Sequence, residues 1–166
     1  MIEQFRGEYS FLSNMEPLTV PVLTKGVHTY AYSSEHAYQA AKFADPAIHL
    51  LVAHVTAEER GLGERIDGIA AKNFAHELID AGELLNPRWN PKFKVEVMQD
   101  AVLRKFIANP ELLDKLLATG QETIVEGNTW GDRFWGVDPI GSENGENHLG
   151  RILMDVRLKL GRRAIR

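Results

Sequence analysis

The chain has 166 residues, 44% of them hydrophobic and 25% charged, which is ample for one globular domain over 1–166 with a proper core. Its formal charge of -4 argues against a sequence-blind nucleic-acid binder, and the absence of cysteine removes disulfides, thiol nucleophiles and thiolate metal sites together. The opening "MIEQFRGEYSFLSNM" lacks a basic-then-apolar leader, and no apolar run has membrane-spanning length, so a cytoplasmic protein without a membrane partner is expected.

Taken in chain order, the first thirty residues read as extended. "LTVPVLTKGVHTYAY" is rich in β-branched and aromatic residues, and its Lys25-Gly26 turn signal predicts a hairpin. "SSEHAYQAAKF", residues 33–43, predicts a helix capped by Ser33 or Ser34, with Glu35 in its first turn, where negative charge is favoured. Asp45-Pro46 predicts the start of a second helix. Thr56 and Glu59 make a capping-box pattern ahead of "AEERGLGERIDGIAAKNF", a segment with too many glycines for one clean helix.

"ELLNPRWNPKF" reads as a loop around Trp89. Val95, Met98, Val102, Lys105 and Phe106 then trace a helical stripe. Asn109-Pro110 predicts a further helix whose leucines at 112, 113, 116 and 117 face the core, with Gly120 as the stop. "ETIVEG" reads as a short strand and "NTWGDRFWGVDPIGSENGENHLG" as a long loop. A last helix carries Leu149, Ile152, Leu153, Val156 and Leu160 at core spacing. Lys159, Arg162, Arg163 and Arg166 make the C-terminal end basic, in the plainer reading a solvated end.

Four constellations carry possible chemistry. Glu35, Tyr38, Gln39 and Lys42 share one face of the 33–43 helix, whose back is Ala37, Ala40, Ala41 and Ala44. That stripe suits a solvated face, or a cavity wall in which a desolvated lysine becomes a usable amine nucleophile. In "NTWGDRFWG", Asp132 lies between Trp130 and Trp135, each tryptophan with a glycine beside it, Gly131 and Gly136. This is either a stacking platform for a base or sugar or a turn that closes a core edge.

"GSENGENHLG", with Asn147 and Gly150, suits an anion cradle before a helix or a simple capping turn. In "FRGEYSFLSNM", Arg6 suits a phosphate and Ser13-Asn14 suits turn chemistry. The histidines show no metal-ligand spacing, so neither metal nor cofactor is expected.

In order, "FLSNM", "YSSEHAYQAAKF", "WNPKFKVEVM", a later "KF", "GDRFWGV" and "NHLGRILMDVR" resemble the NADAR (YbiA-like) family over nearly the whole chain. The resemblance implies a compact, mainly helical α+β domain with a small β-hairpin. It also implies an N-glycosidase that cleaves a ribosyl carbon from a base-type nitrogen.

The implied substrates are ADP-ribose on guanine in DNA or RNA, or phosphorylated ribosylamino-pyrimidine intermediates of riboflavin synthesis. A catalyst-free ADP-ribose or nucleotide sensor is the rival reading. Carried over by motif, Glu35, Lys42 and Asp132 are the expected catalytic groups, with Lys42 forming a Schiff base. Arg6, Ser13, Asn14, Tyr38, Gln39, Trp89, Trp130, Trp135, Gly136, Asn147 and Gly150 are the expected substrate contacts. The family's Gly-Arg pair is interrupted here, since Glu64 stands between Gly63 and Arg65.

Overall fold

The computed structural model describes residues 1–164, with side chains described through Arg162. Of the basic C-terminal end, Arg166 and the side chain of Arg163 lie outside the described residues. Contacts divide the chain into two compact units, Met1–Ser13 with Pro110–Arg166, and Asn14–Asn109. The architecture is mainly helical with a two-stranded antiparallel sheet.

In the Asn14–Asn109 unit the predicted hairpin is present. β1 (Val22–Leu23) pairs with β2 (Tyr30–Ala31), Val22 opposite Ala31 and Leu23 opposite Tyr30. Gly26 takes φ +79 in the connection, a left-handed conformation that glycine adopts without steric cost.

Ser33 caps α1 (Ser34–Ala40), its hydroxyl accepting the His36 N–H at 3.1 Å. All seven residues of α1 are buried, and Ala37 and Ala40 let α2, α3 and α4 pack closely around it. The helix stops sooner than the 33–43 spacing predicts. Ala41 and Lys42 form a turn, and Phe43 pairs with Leu85 in an antiparallel bridge.

α2 (Pro46–His54) starts where Asp45-Pro46 predicts, with the Asp45 carboxylate accepting the Ala47 N–H at 2.8 Å. The Thr56–Glu59 box also forms, through reciprocal bonds of 2.9 and 3.2 Å. It closes only one turn, because Gly61 and Gly63 take positive φ, and α3 (Asp67–Asp80) begins later. Asn90 caps α4 (Pro91–Ala108), whose Met98, Val102, Lys105 and Phe106 are buried as the stripe predicts, with Val95 half-buried.

The other unit corrects two expectations. Gly7–Leu12 is a 3-10 helix, not extended chain; Phe11 and Leu12 are its buried anchors. "ETIVEG" contributes isolated parallel bridges, Ile2 with Ile124 and Gly127 with Val137, in place of a strand. α5 (Pro110–Ala118) buries Leu112 and Leu116, leaves Leu113 and Leu117 half-exposed, and stops at Gly120, φ +57. α6 (His148–Ala164) buries all five predicted apolar residues. Among the described residues no helix is long and apolar enough to cross a membrane.

Candidate active site

Six of the expected site residues, Asn14, Glu35, Tyr38, Gln39, Lys42 and Trp89, belong to the Asn14–Asn109 unit. Lys42 is half-buried in the turn after α1. Burial lowers its pKa to about 8, with the cations of Lys72 and Lys94 adding to the fall and the Glu35 carboxylate opposing it. Its Nζ lies 5.3 Å from the centre of the Tyr38 ring. An aromatic ladder continues from Tyr38 to Trp89 at 5.3 Å and from Trp89 to Phe93 at 6.2 Å.

The turn that carries this lysine is held on several sides. The Asn86 N–H donates to the Lys42 carbonyl at 2.7 Å, and the Ala44 N–H to Leu84 O at 3.1 Å. His49, buried, sets Nε2 2.9 Å from the Phe43 carbonyl; a carbonyl only accepts, so Nε2 carries the proton. Neither Asn86 nor His49 stood out in the sequence. An Asn-Pro pair reads as a loop, and a lone histidine has no signature.

Glu35 is 7% exposed. Its carboxylate accepts from Gln39 Nε2 at 2.6 Å, and its N–H donates to the Asn14 carbonyl at 2.9 Å. Gln39 Oε1 and Asn14 Oδ1 are buried with no hydrogen-bond partner. Each such orphan costs on the order of 1–3 kcal/mol unless a ligand or water meets it. The two acceptors and the carboxylate therefore suit the hydroxyls of a sugar.

The remaining expected residues lie in the other unit. One oxygen of Asp132 accepts the N–H groups of Phe134 and Trp135 at 3.1 and 2.9 Å, so this acid organises its own loop. Asn128 clamps the same loop, donating to Asp132 O at 2.6 Å and accepting the Asp132 N–H at 3.1 Å. Trp130 is 61% exposed, whereas Trp135 meets Phe134 edge-on at 4.9 Å.

Asn147, at φ +49, spends its amide on the backbone, accepting the Glu126 N–H and donating to Ile124 O, both at 3.0 Å. A side chain at Gly150 would strike Ile124 O and Asn147, and one at Gly136 would strike Glu126 O. These three residues are accounted for by scaffolding. Arg6 is exposed at the start of the 3-10 helix, Ser13 ends that helix, and Arg65 is exposed.

At its other end α1 borders a cavity of about 320 Å³, walled in part by Tyr32, Ser33, His36, His54, Thr56 and Asp67. Lys42 does not line it.

The NADAR domain family model matches residues 3–161. The chain belongs to the NADAR family. Its NADAR sequence is 35% identical over 156 residues to a Nostoc punctiforme protein named N-glycosidase, covering 90% of this chain and 84% of that one. It is 35% identical over 152 residues to a Vibrio vulnificus riboflavin biosynthesis protein, covering 92% of this chain but only 36% of that longer protein. The NMR structure of Escherichia coli YbiA superposes with a TM-score of 0.71 at 28% identity, over 99% of this chain and 89% of YbiA.

Proposed function

We propose that this NADAR chain is an N-glycosidase that hydrolyses an N-ribosyl bond, removing ADP-ribose from guanine in DNA or RNA in the cytoplasm, with Lys42 as the nucleophile. One observation carries the reading. A half-buried lysine with its pKa lowered to about 8 follows the helix that carries a buried carboxylate acting on it electrostatically, and Gln39 and Asn14 of the same unit hold buried acceptors without protein partners. Near neutral pH about a tenth of such an amine is uncharged, several hundred times more than for an ordinary lysine.

The neutral Lys42 Nζ attacks the anomeric carbon. A C–N bond to lysine forms, and the bond to the base breaks with its electron pair going to the base nitrogen. Glu35 takes a proton from the new ammonium and delivers it to that nitrogen. The lysine nitrogen then forms a double bond to the carbon, the ring C–O bond opens with its electron pair going to oxygen, and the proton remaining on the lysine nitrogen passes to that oxygen. Water adds to the resulting Schiff base, the amine is released, and the sugar closes. Gln39 and Asn14 hold sugar hydroxyls, while Tyr38 and Trp89 offer ring faces to the base.

The family pattern supports further roles in the same reading. By that pattern alone, Asp132, Trp130, Trp135 and Arg6 of the other unit are proposed as substrate-contacting residues, the acid suited to positive charge, the indoles to a ring face and the arginine to phosphate.

A second reading, hydrolysis of phosphorylated ribosylamino-pyrimidines, is favoured by the likeness to the Vibrio protein. A panel of N-ribosyl substrates, with release read by mass, separates the two. The panel comprises ADP-ribosylated DNA, ADP-ribosylated RNA and the free ribosylamino-pyrimidine phosphates. Release from ADP-ribosylated nucleic acid alone supports the first reading. Ligand bound by the wild type with every ribosyl bond left intact would make the protein a sensor.

A further inference from the structure

We infer that the cavity at the start of α1 binds a flat, nitrogen-rich ring bearing an amino group, with the Asp67 carboxylate accepting from that amine. Its volume of about 320 Å³ suits a nucleobase or a nucleoside and is too small for a whole dinucleotide. Met15, Leu18 and Val55 supply an apolar floor, and the rings of Tyr32 and His54 meet edge-on at 5.4 Å beside it.

Charge decides which part of a ligand fits. Among the described residues lining the cavity there is no lysine or arginine, and Asp67 is the acid there. His36 adds no positive charge. Burial holds its pKa below the usual histidine value, and its two ring nitrogens are engaged at 2.7 Å by Ser33 Oγ and at 2.9 Å by Val55 O. Such a wall repels phosphate and carboxylate groups and favours uncharged N–H donors.

Asp67 Oδ1 accepts the Ala57 N–H at 2.7 Å. A carboxylate has about four acceptor sites, so one backbone bond leaves it able to take an amine. Thr56 Oγ accepts the Glu59 N–H and retains its own hydroxyl proton to give to a ring nitrogen or carbonyl.

Gly68, next to Asp67, is part of the same construction. A side chain there would be forced onto Met15, so glycine lets the start of α3 close against the cavity floor. His36, in the cavity wall, and Lys42, in the turn after α1, belong to the same helix-turn segment. The identity of the ring as part of the substrate rests on the N-glycosidase reading, whereas binding in the cavity does not.

The test is calorimetry of adenosine, guanosine and inosine on the full chain carrying Lys42→Ala, which prevents turnover. Adenosine or guanosine should bind at least tenfold more tightly than inosine, which lacks the amino group. Asp67→Asn keeps the bond to Ala57 but replaces an acceptor with a donor, and it should erase that preference. Tyr32→Ala, at the exposed mouth, should weaken binding severalfold and serves if Asp67→Asn does not fold.

Tighter adenosine would assign the cavity to the adenine of ADP-ribose, and tighter guanosine to the departing base. Equal binding of inosine, no binding of any nucleoside, or an unchanged preference in Asp67→Asn overturns the inference. Amino-selective binding by a chain whose wild type cleaves no N-ribosyl bond would leave the cavity assigned and remove the enzyme reading alone.

Discussion

The backbone N–H of Asn86 donates to the carbonyl of Lys42 at 2.7 Å, and the same residue's carbonyl accepts the N–H of Trp89 at 2.8 Å. One asparagine thus ties the turn bearing the amine to the loop bearing the tryptophan that packs on Tyr38. Its side chain reinforces both links, accepting the Arg88 N–H at 3.0 Å and reaching Ala41 O at 3.5 Å. Lys42 is therefore set by a bridge between two loops and not by a helix.

Asn86→Ala removes the side-chain links and keeps the backbone bond. We expect kcat to fall on the order of 10–100-fold with little loss of secondary structure by circular dichroism. The inflection of the pH–rate curve should move upward, since a looser turn rehydrates Lys42. A variant with wild-type kcat and inflection would show that this linkage does not set the amine.

Trapping tests the covalent step. Borohydride added during turnover should leave a ribosyl adduct on Lys42, absent in Lys42→Ala and in Lys42→Arg, because a guanidinium is a poor nucleophile. Lys105, also depressed in pKa but 1% exposed, should carry no adduct. A mass-mapped adduct on any lysine other than Lys42 would redirect the mechanism.

The pH dependence has a definite sign. Below about 8 the free amine rises tenfold per pH unit, so kcat/KM should climb and then level near that value. Lys72→Met and Lys94→Met remove cations that depress the Lys42 pKa, so their inflections should move up. Glu35→Gln removes the charge that raises it, so the inflection of its residual activity should move down. Opposite movements would reverse the electrostatic account.

Lys105 offers a stability test. Burial lowers its pKa from 10.5 to about 7, with the Glu16 carboxylate opposing. Between roughly pH 7 and 10.5 the unfolded chain therefore binds more protons at this site than the folded one, and stability rises with pH. Below pH 7 both states are protonated and the cost of the buried charge is constant. Denaturant melts from pH 6 to 10 should show that rise, and Lys105→Met should flatten most of it, leaving the smaller rise above pH 8 due to Lys42. A slope unchanged by the substitution would count against burial as its origin.

Asn147→Ala should act on folding. It strands the Glu126 N–H and Ile124 O and puts alanine at φ +49, for a cost of about 2–4 kcal/mol. A drop in melting temperature of several degrees is expected, with ligand affinity measured below the transition unchanged. An intact melt with lost affinity would return Asn147 to ligand binding.

Much of the fold was legible along the chain, because its signals are local. Ser33, Asp45 and Asn90 cap helices through their own side chains, and the five apolar residues of α6 follow one helical face. The polar row of Glu35 and Gln39 was visible too, but its spacing suits a solvated face as well as a cavity wall, and only packing decided that it is buried. Distant partners decided the rest. The Thr56–Glu59 box formed without a helix because glycines beyond it turn the chain, and α1 ended at Ala40 because Phe43 pairs with Leu85, some forty residues away.

The sequence by itself determined the family, the helical character and the presence of an amine and an acid at helical spacing, because motif, capping and periodicity depend on near neighbours. Only the tertiary structure decided that Lys42 is partly dehydrated, that Asn86 and His49 fix its turn, that one oxygen of Asp132 organises its own loop while the Asn147 amide ties that loop to Ile124 and Glu126, and that Asp67 faces a cavity. Those facts rest on burial and on bonds between residues remote in the chain. Burial and long-range pairing are set by packing and leave no periodic trace in the order of the residues.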